Sequence, residues 1–252
     1  YGTFVHYVLE HVLQDRRFAK ATPAPQGEEE LAAWKKKLRR LTKKAVDRYV
    51  AEELGGLEGQ SARFRYLFRR LLRSVQAVVD NVAEELACSQ FKPVSFELGF
   101  GRSKENDGEL SLPPVELTCQ GVTISITGFV DRVDGWEEDG RLHLRVVDYK
   151  TGRKTFDLTE VWNGLGLQML LYLFTLEEKG RELYGLPVEG DGVLYLPARE
   201  AVIRAGRSIS DGELQKRVDK ERTRSCLVVD DRRVLDAMEP QGPGGYRFLP
   251  LR

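Results

Sequence analysis

The chain has 252 residues, 41% of them hydrophobic, and its 39 Lys and Arg balance 39 Asp and Glu to a formal net charge of zero. That length allows one large or two small domains with a real core, and neutrality does not by itself mark a nucleic-acid binder. No apolar run approaches the roughly 18 residues that span a bilayer, and no signal peptide or lipidation motif is read, so a cytoplasmic protein without membrane contact is expected. Three cysteines (Cys88, Cys119 and Cys226) stand far apart without a C-x-x-C pair. They fit structural thiols in a reducing compartment better than disulfides or a metal site. The chain begins at Tyr1 rather than Met, which suggests a piece of a longer polypeptide.

Tyr1 to about Phe18 carries a helical stripe of Phe4, Val5, Val8, Leu9, Val12 and Leu13. His6 and Glu10 are four apart on this helix, and taken alone His6 reads as a core or boundary residue. Ala19 to Gly27 is a Pro-containing linker. Two long helices are then predicted, from about Glu28 to Leu54 and from about Ser61 to Ala87. Between Lys35 and Arg73 there are 13 Lys or Arg against four Asp or Glu. This basic insert is either a solvated helix face or a surface that tracks phosphates or meets a partner.

Lys92 to Gly101 alternates as a half-buried strand, with Val94, Phe96, Leu98 and Phe100 on one face and Glu97 on the other. Arg102 to Gly108 reads as a polar loop. Glu109 to Leu117 reads as an edge strand broken by Pro113-Pro114. Val122 to Asp134 forms one alternating run ending in Asp131 and Asp134. A short charged turn with Gly140 leads to a second strand, Leu142 to Lys150, which makes the pair an antiparallel hairpin. Asp148 and Lys150 share a face with Val146, while Val147 and Tyr149 point away. Asp157 or Thr159 caps a helix reaching about Lys179, on which Gln168 and Tyr172 share a face. Gly192 to Leu196 is a short buried strand, and Asp230 to Met238 a helix. Gln241 to Pro250 reads as irregular chain.

Charged groups at the end of an apolar strand are costly unless they have partners or work. Metal-assisted hydrolysis is the work these residues suit. A hard cation takes carboxylate and other oxygens, which Asp131 and Asp148 can supply from paired strands. Lys150 beside them can orient or help deprotonate a water and offset phosphate charge.

The order and spacing of Gly128-Phe129-Val130-Asp131-Arg132-Val133-Asp134, Asp148-Tyr149-Lys150 and Gln168 to Tyr172 resemble the RecB-like branch of the PD-(D/E)xK nucleases. The wording is most similar to the C-terminal nuclease domain of B subunits in AddAB-type ATP-dependent helicase-nucleases. The resemblance implies a restriction-endonuclease-like mixed α/β fold with an αβββαβ core, here 1–18 and 88–252, interrupted by a linker and basic helical insert at 19–87. It implies a Mg2+-dependent (or Mn2+-dependent) deoxyribonuclease of exonuclease type acting on single-stranded DNA, with a helicase partner subunit, in double-strand-break repair. Asp131, Asp148, Lys150, Gln168 and Tyr172 are its implied catalytic residues. The implied metal ligands are Asp131, Asp148, the Tyr149 carbonyl and His6, because Gly2 and His6 match the family's Gly and His on the first core helix. Glu97 is a secondary candidate.

Many members of that branch also hold an iron–sulfur cluster on four cysteines outside the core. The three cysteines here do not occupy those positions, so no cluster is expected in this chain. No G-x-x-x-x-G-K-[ST] loop is found, so ATP use would belong to other parts of a parent protein. Two other readings are a non-catalytic DNA-gripping or docking module, and a stand-alone exonuclease of the Cas4 type.

Overall fold

A computed structural model describes residues 2–18, 27–56, 58–101, 111–206 and 208–251. The expected linker at 19–26 and polar loop at 102–108 lie outside the described residues. Helix α1 (Gly2–Leu13) buries the whole apolar stripe. It stops short of Phe18 because the Asp15 carboxylate takes the Arg17 N–H and guanidinium, a local competitor of helix hydrogen bonding. Helices α2 (Gly27–Glu53) and α3 (Ala62–Cys88) follow as expected, the second capped by the Ser61 hydroxyl accepting from the Phe64 N–H.

The strands are β1 (Lys92–Phe100), β2 (Ser111–Leu112), β3 (Val115–Cys119), β4 (Val122–Ile126), β5 (Gly128–Glu138), β6 (Arg141–Lys150), β7 (Val188–Pro197) and β8 (Ser225–Val228). The run expected as one strand from Val122 is two. β4 folds back on β3 across Gln120 and Gly121, both at positive φ, as a tight hairpin turn requires. β5 enters the main sheet, whose order is β2-β1-β5-β6-β7-β8.

The helix expected from Asp157 to Lys179 is also two, α4 (Leu158–Trp162) and α5 (Gln168–Tyr184). Between them Gly164 and Gly166 take positive φ, which a continuing helix cannot accommodate. α4 is capped by Asp157, whose carboxylate accepts the Thr159 N–H. Helix α6 (Asp211–Arg222) precedes β8 and α7 (Arg232–Met238) follows it.

β1, β5 and β6 are antiparallel neighbours, and α5 carries the chain across to β7, parallel to β6. The series α1, β1, β5, β6, α5, β7 is therefore the αβββαβ core. The sheet separates two apolar clusters. One joins α1, α2, α3 and α7 to Val147, Tyr149 and Leu194. The other joins α5 to Leu144, Val146 and Val193. The period of two in β6 sends alternate residues to each.

A chain of buried charges crosses the helical side. Arg132 pairs with Asp134, and Asp134 accepts from Arg145 at 3.0 Å. Arg145 lies 3.1 Å from Glu85, which accepts from Arg224 at 2.6 Å. Arg132 and Arg145 are fully enclosed. The Arg132–Asp134 pair thus belongs to the interior, and charges there persist only when paired.

Candidate active site

The candidate residues gather where β6 ends, β5 begins and α1 starts; Gly2 lies 3.9 Å, measured to where a Cβ would stand, from the Thr151 methyl. The expected alternation of β1 breaks here. Phe96 packs in the helical cluster, but Leu98 and Phe100 lie in the α5 cluster. β5 does the same, with Val130 in the α5 cluster and Arg132 reaching the Tyr149 hydroxyl on the helical side. Phe96 opposes Arg132 and Leu98 opposes Val130, so Glu97 stands across from Asp131 at the rung where both strands turn over. Glu97 has φ 46°, a left-handed conformation that costs a non-glycine residue about 1–3 kcal/mol and gathers at functional sites.

This rung brings three donors together. Ligand atoms of His6, Glu97 and Asp131 all lie within 4.8 Å of one another. Asp131 Oδ2 accepts the Tyr149 N–H at 2.6 Å, and Asp131 Oδ1 is 3.4 Å from His6 Nδ1. His6 Nε2 is 3.2 Å from the Tyr149 carbonyl oxygen. Burial opposes charge on His6, yet hydrogen bonding to Asp131 and the charges of Asp131 and Glu97 raise its pKa above the ordinary imidazole value.

Asp148 lies alongside. Burial first, and then the charge of Asp131, push its carboxyl above the usual range, while Lys150 and His6 oppose this. Lys150 Nζ is 2.5 Å from Asp148 Oδ2 and 5.5 Å from the centre of the Tyr195 ring. Asp148 Oδ2 is buried without a well-oriented hydrogen bond. Carboxylate oxygens, a peptide carbonyl and one imidazole nitrogen make a donor set suited to a hard divalent cation.

Gln168 and Tyr172 meet each other, Gln168 Nε2 donating to the Tyr172 hydroxyl at 2.7 Å. Tyr172 is stacked on Phe100, with ring centres 4.4 Å apart, and a Cβ at Gly128 would fall 2.0 Å from its hydroxyl. Gly128 therefore has a steric duty: only a residue without a side chain lets α5 approach β5 three residues before Asp131. Sequence reasoning missed this, although Gly128 heads the first motif. Glu97, a secondary candidate from the sequence, has a ligand atom within 4.8 Å of those of His6 and Asp131. Asp134, read beside Asp131 at the end of one strand, faces the buried charges.

A family model described as the PD-(D/E)XK nuclease superfamily matches residues 1–238. The chain belongs to that superfamily. Its mixed α/β architecture is the restriction-endonuclease-like fold of these nucleases. Among relatives, it is 33% identical over 211 residues to the B subunit of the ATP-dependent helicase/deoxyribonuclease of Clostridium novyi (strain NT), covering 82% of this chain and 18% of the relative. The same-named protein of Acetivibrio thermocellus is 31% identical over 254 residues, 99% of this chain and 21% of the relative. That of Symbiobacterium thermophilum is 37% identical over 201 residues, 79% and 17%. The chain thus spans about a fifth of the length of these relatives. As a superfamily member it is a nuclease module similar to part of such B subunits. Among the described residues no helix is long and apolar enough to cross a membrane.

Proposed function

We propose that this nuclease module is a Mg2+- or Mn2+-dependent deoxyribonuclease of exonuclease type. It would act on single-stranded DNA delivered by a helicase partner subunit, in the cytoplasm, during double-strand-break repair. The observation that supports this best is one rung of the sheet where Asp131, Glu97 and His6 converge beside the Asp148–Lys150 pair. Asp131, Asp148, Glu97, His6 and the Tyr149 carbonyl would hold the cation, which when bound supplies Lewis-acid polarisation of the scissile phosphate.

Lys150, fixed by Asp148 and the Tyr195 face, orients a water toward phosphorus and offsets charge as it builds. The water oxygen bonds to phosphorus as the bond to the leaving sugar oxygen breaks, the water giving up a proton to solvent and the sugar oxygen taking one from solvent. Asp131 has a second task, because its grip on the Tyr149 N–H locks β6 so that Asp148 and Lys150 keep their places. Tyr172, buried and held by Gln168, fixes α5 against Gly128, while the exposed Gln168 amide offers a polar group to the DNA backbone.

The test is digestion of a labelled single-stranded oligonucleotide in Mg2+ and in Mn2+. The wild-type chain should cut, and Asp148→Ala and Lys150→Ala should each lose cutting by at least 100-fold while keeping the wild-type circular dichroism spectrum. Full activity in either folded variant refutes the assignment.

A further inference from the structure

Beyond the reacting centre, a groove lined with cations leads away from Lys150. It consists of two adjoining hollows, of about 540 and 610 Å³, that share Arg153, Lys220 and Glu221. The first begins at Lys150 and passes Lys154 and Arg199, with Phe156 and Tyr195, rings stacked 4.6 Å apart, in its wall. The second continues past Arg204 and Arg217.

Glu221 is the acid among these lining residues, and it holds Arg153 at 3.0 Å and Arg199 at 3.2 Å. Arg224 also borders the first hollow, but its guanidinium is committed to Glu85 and Asn81. Lys154 lies 3.7 Å from Glu160 and Arg217 donates to Glu213 at 3.1 Å, so the groove that starts at Lys150 owes its surplus positive charge chiefly to Arg204 and Lys220 and to Arg153 and Arg199 sharing one carboxylate. Among the described residues, the hollows found on the basic helices do not reach the candidate site. The hollow on α2 and α3, which includes Arg65 and Arg69, contains none of the candidate site residues.

We propose that this groove over β7 and α6, rather than the basic helical insert, carries the single-stranded DNA on one side of the cleavage point. The inference rests on the nuclease reading above. A cationic groove is the form that tracks a single-stranded phosphate backbone without reading its sequence. Each phosphate neutralised releases counterions, so binding through the groove is salt-dependent, with a slope near −0.7 per contact on single strands.

The experiment is fluorescence anisotropy of a labelled oligothymidine in EDTA, where binding is read without hydrolysis. One triple variant carries Arg153→Gln, Arg204→Gln and Lys220→Gln. A control on the exposed face of α2 carries Lys36→Gln, Arg40→Gln and Lys44→Gln. The groove variant should bind at least ten-fold more weakly at low salt, with its log–log salt slope smaller in magnitude by about 2, and should keep the wild-type melting temperature. The control should stay within about three-fold of wild type. Unchanged binding by the groove variant, an equal or larger loss in the control, or no binding by the wild type overturns the proposal. Failure of the nuclease reading shows separately: a chain that binds through the groove yet cuts nothing in Mg2+ or Mn2+ refutes hydrolysis and leaves the groove standing.

Discussion

Replacing Gly128 with Ala tests the link between α5 and the site. The added methyl would sit 2.0 Å from the Tyr172 hydroxyl and 3.2 Å from the ring carbon bearing it. Tyr172 must then retreat by about 1.4 Å or more to reach ordinary contact distance. Its ring is buried and stacked on Phe100, and its hydroxyl is held by Gln168, so the strain spreads into β5. Overpacking of this kind costs about 1–3 kcal/mol. Urea denaturation should show that loss, and nuclease activity should fall further, about 100-fold, because Asp131 lies three residues along the displaced strand. Tyr172→Phe removes the clashing oxygen. The double variant should therefore be more stable than the sum of the single changes allows, with a coupling of at least about 1 kcal/mol. Additive losses, or a Gly128→Ala protein as stable and active as wild type, would refute the steric account.

Glu85→Gln should destabilise the domain by about 3–5 kcal/mol, because Arg145 and Arg224 lose their buried counter-charge; thermal unfolding measures this. Burial alone would raise the Glu85 pKa, but Arg224, Arg145 and Arg132 outweigh it and hold the carboxyl at about 2. A carboxyl held below its unfolded value stabilises the fold fully above pH ~4.5, and that contribution, on the order of 3 kcal/mol, disappears as pH falls toward 2. Acid titration of unfolding free energy should be shallower over that window in Glu85→Gln. Glu97→Gln should weaken Mg2+ or Mn2+ binding about ten-fold by calorimetry, since ligand charge sets affinity in such sites, with little change in melting temperature. Equal affinity in that variant would place Glu97 outside the metal set.

The hairpin was legible because alternation alone assigns faces: it put Val146 and Tyr149 on opposite sides, as found, and Lys150 with Val146, where its ammonium lies over the ring of Tyr195 in the α5 cluster. Helices α1 to α3 were legible from their apolar stripes. The break between β4 and β5 was not, since alternation runs on through Thr127 while the pairing partner changes. α6 was missed because it buries no residue, so no apolar period marks it. The interior position of Arg132 and Asp134 was hidden for another reason: their setting includes Glu85 and Arg224, each tens of residues away in sequence. Glu97 was placed on a polar face correctly in kind, but its left-handed backbone, which turns it toward Asp131, has no signature in residue type.

That shared turn-over has an evolutionary corollary. Upstream of Glu97 and Asp131 the two strands count inward positions in one phase, and downstream in the other. A one-residue insertion or deletion in either strand near this point would swap lining for lipophilic filling along the remainder of its length and dissolve the donor set as well. Length variation among relatives should therefore collect in the β3–β4 arm, whose Val122 and Ile124 side chains already face outward, and be absent from β1 and β5.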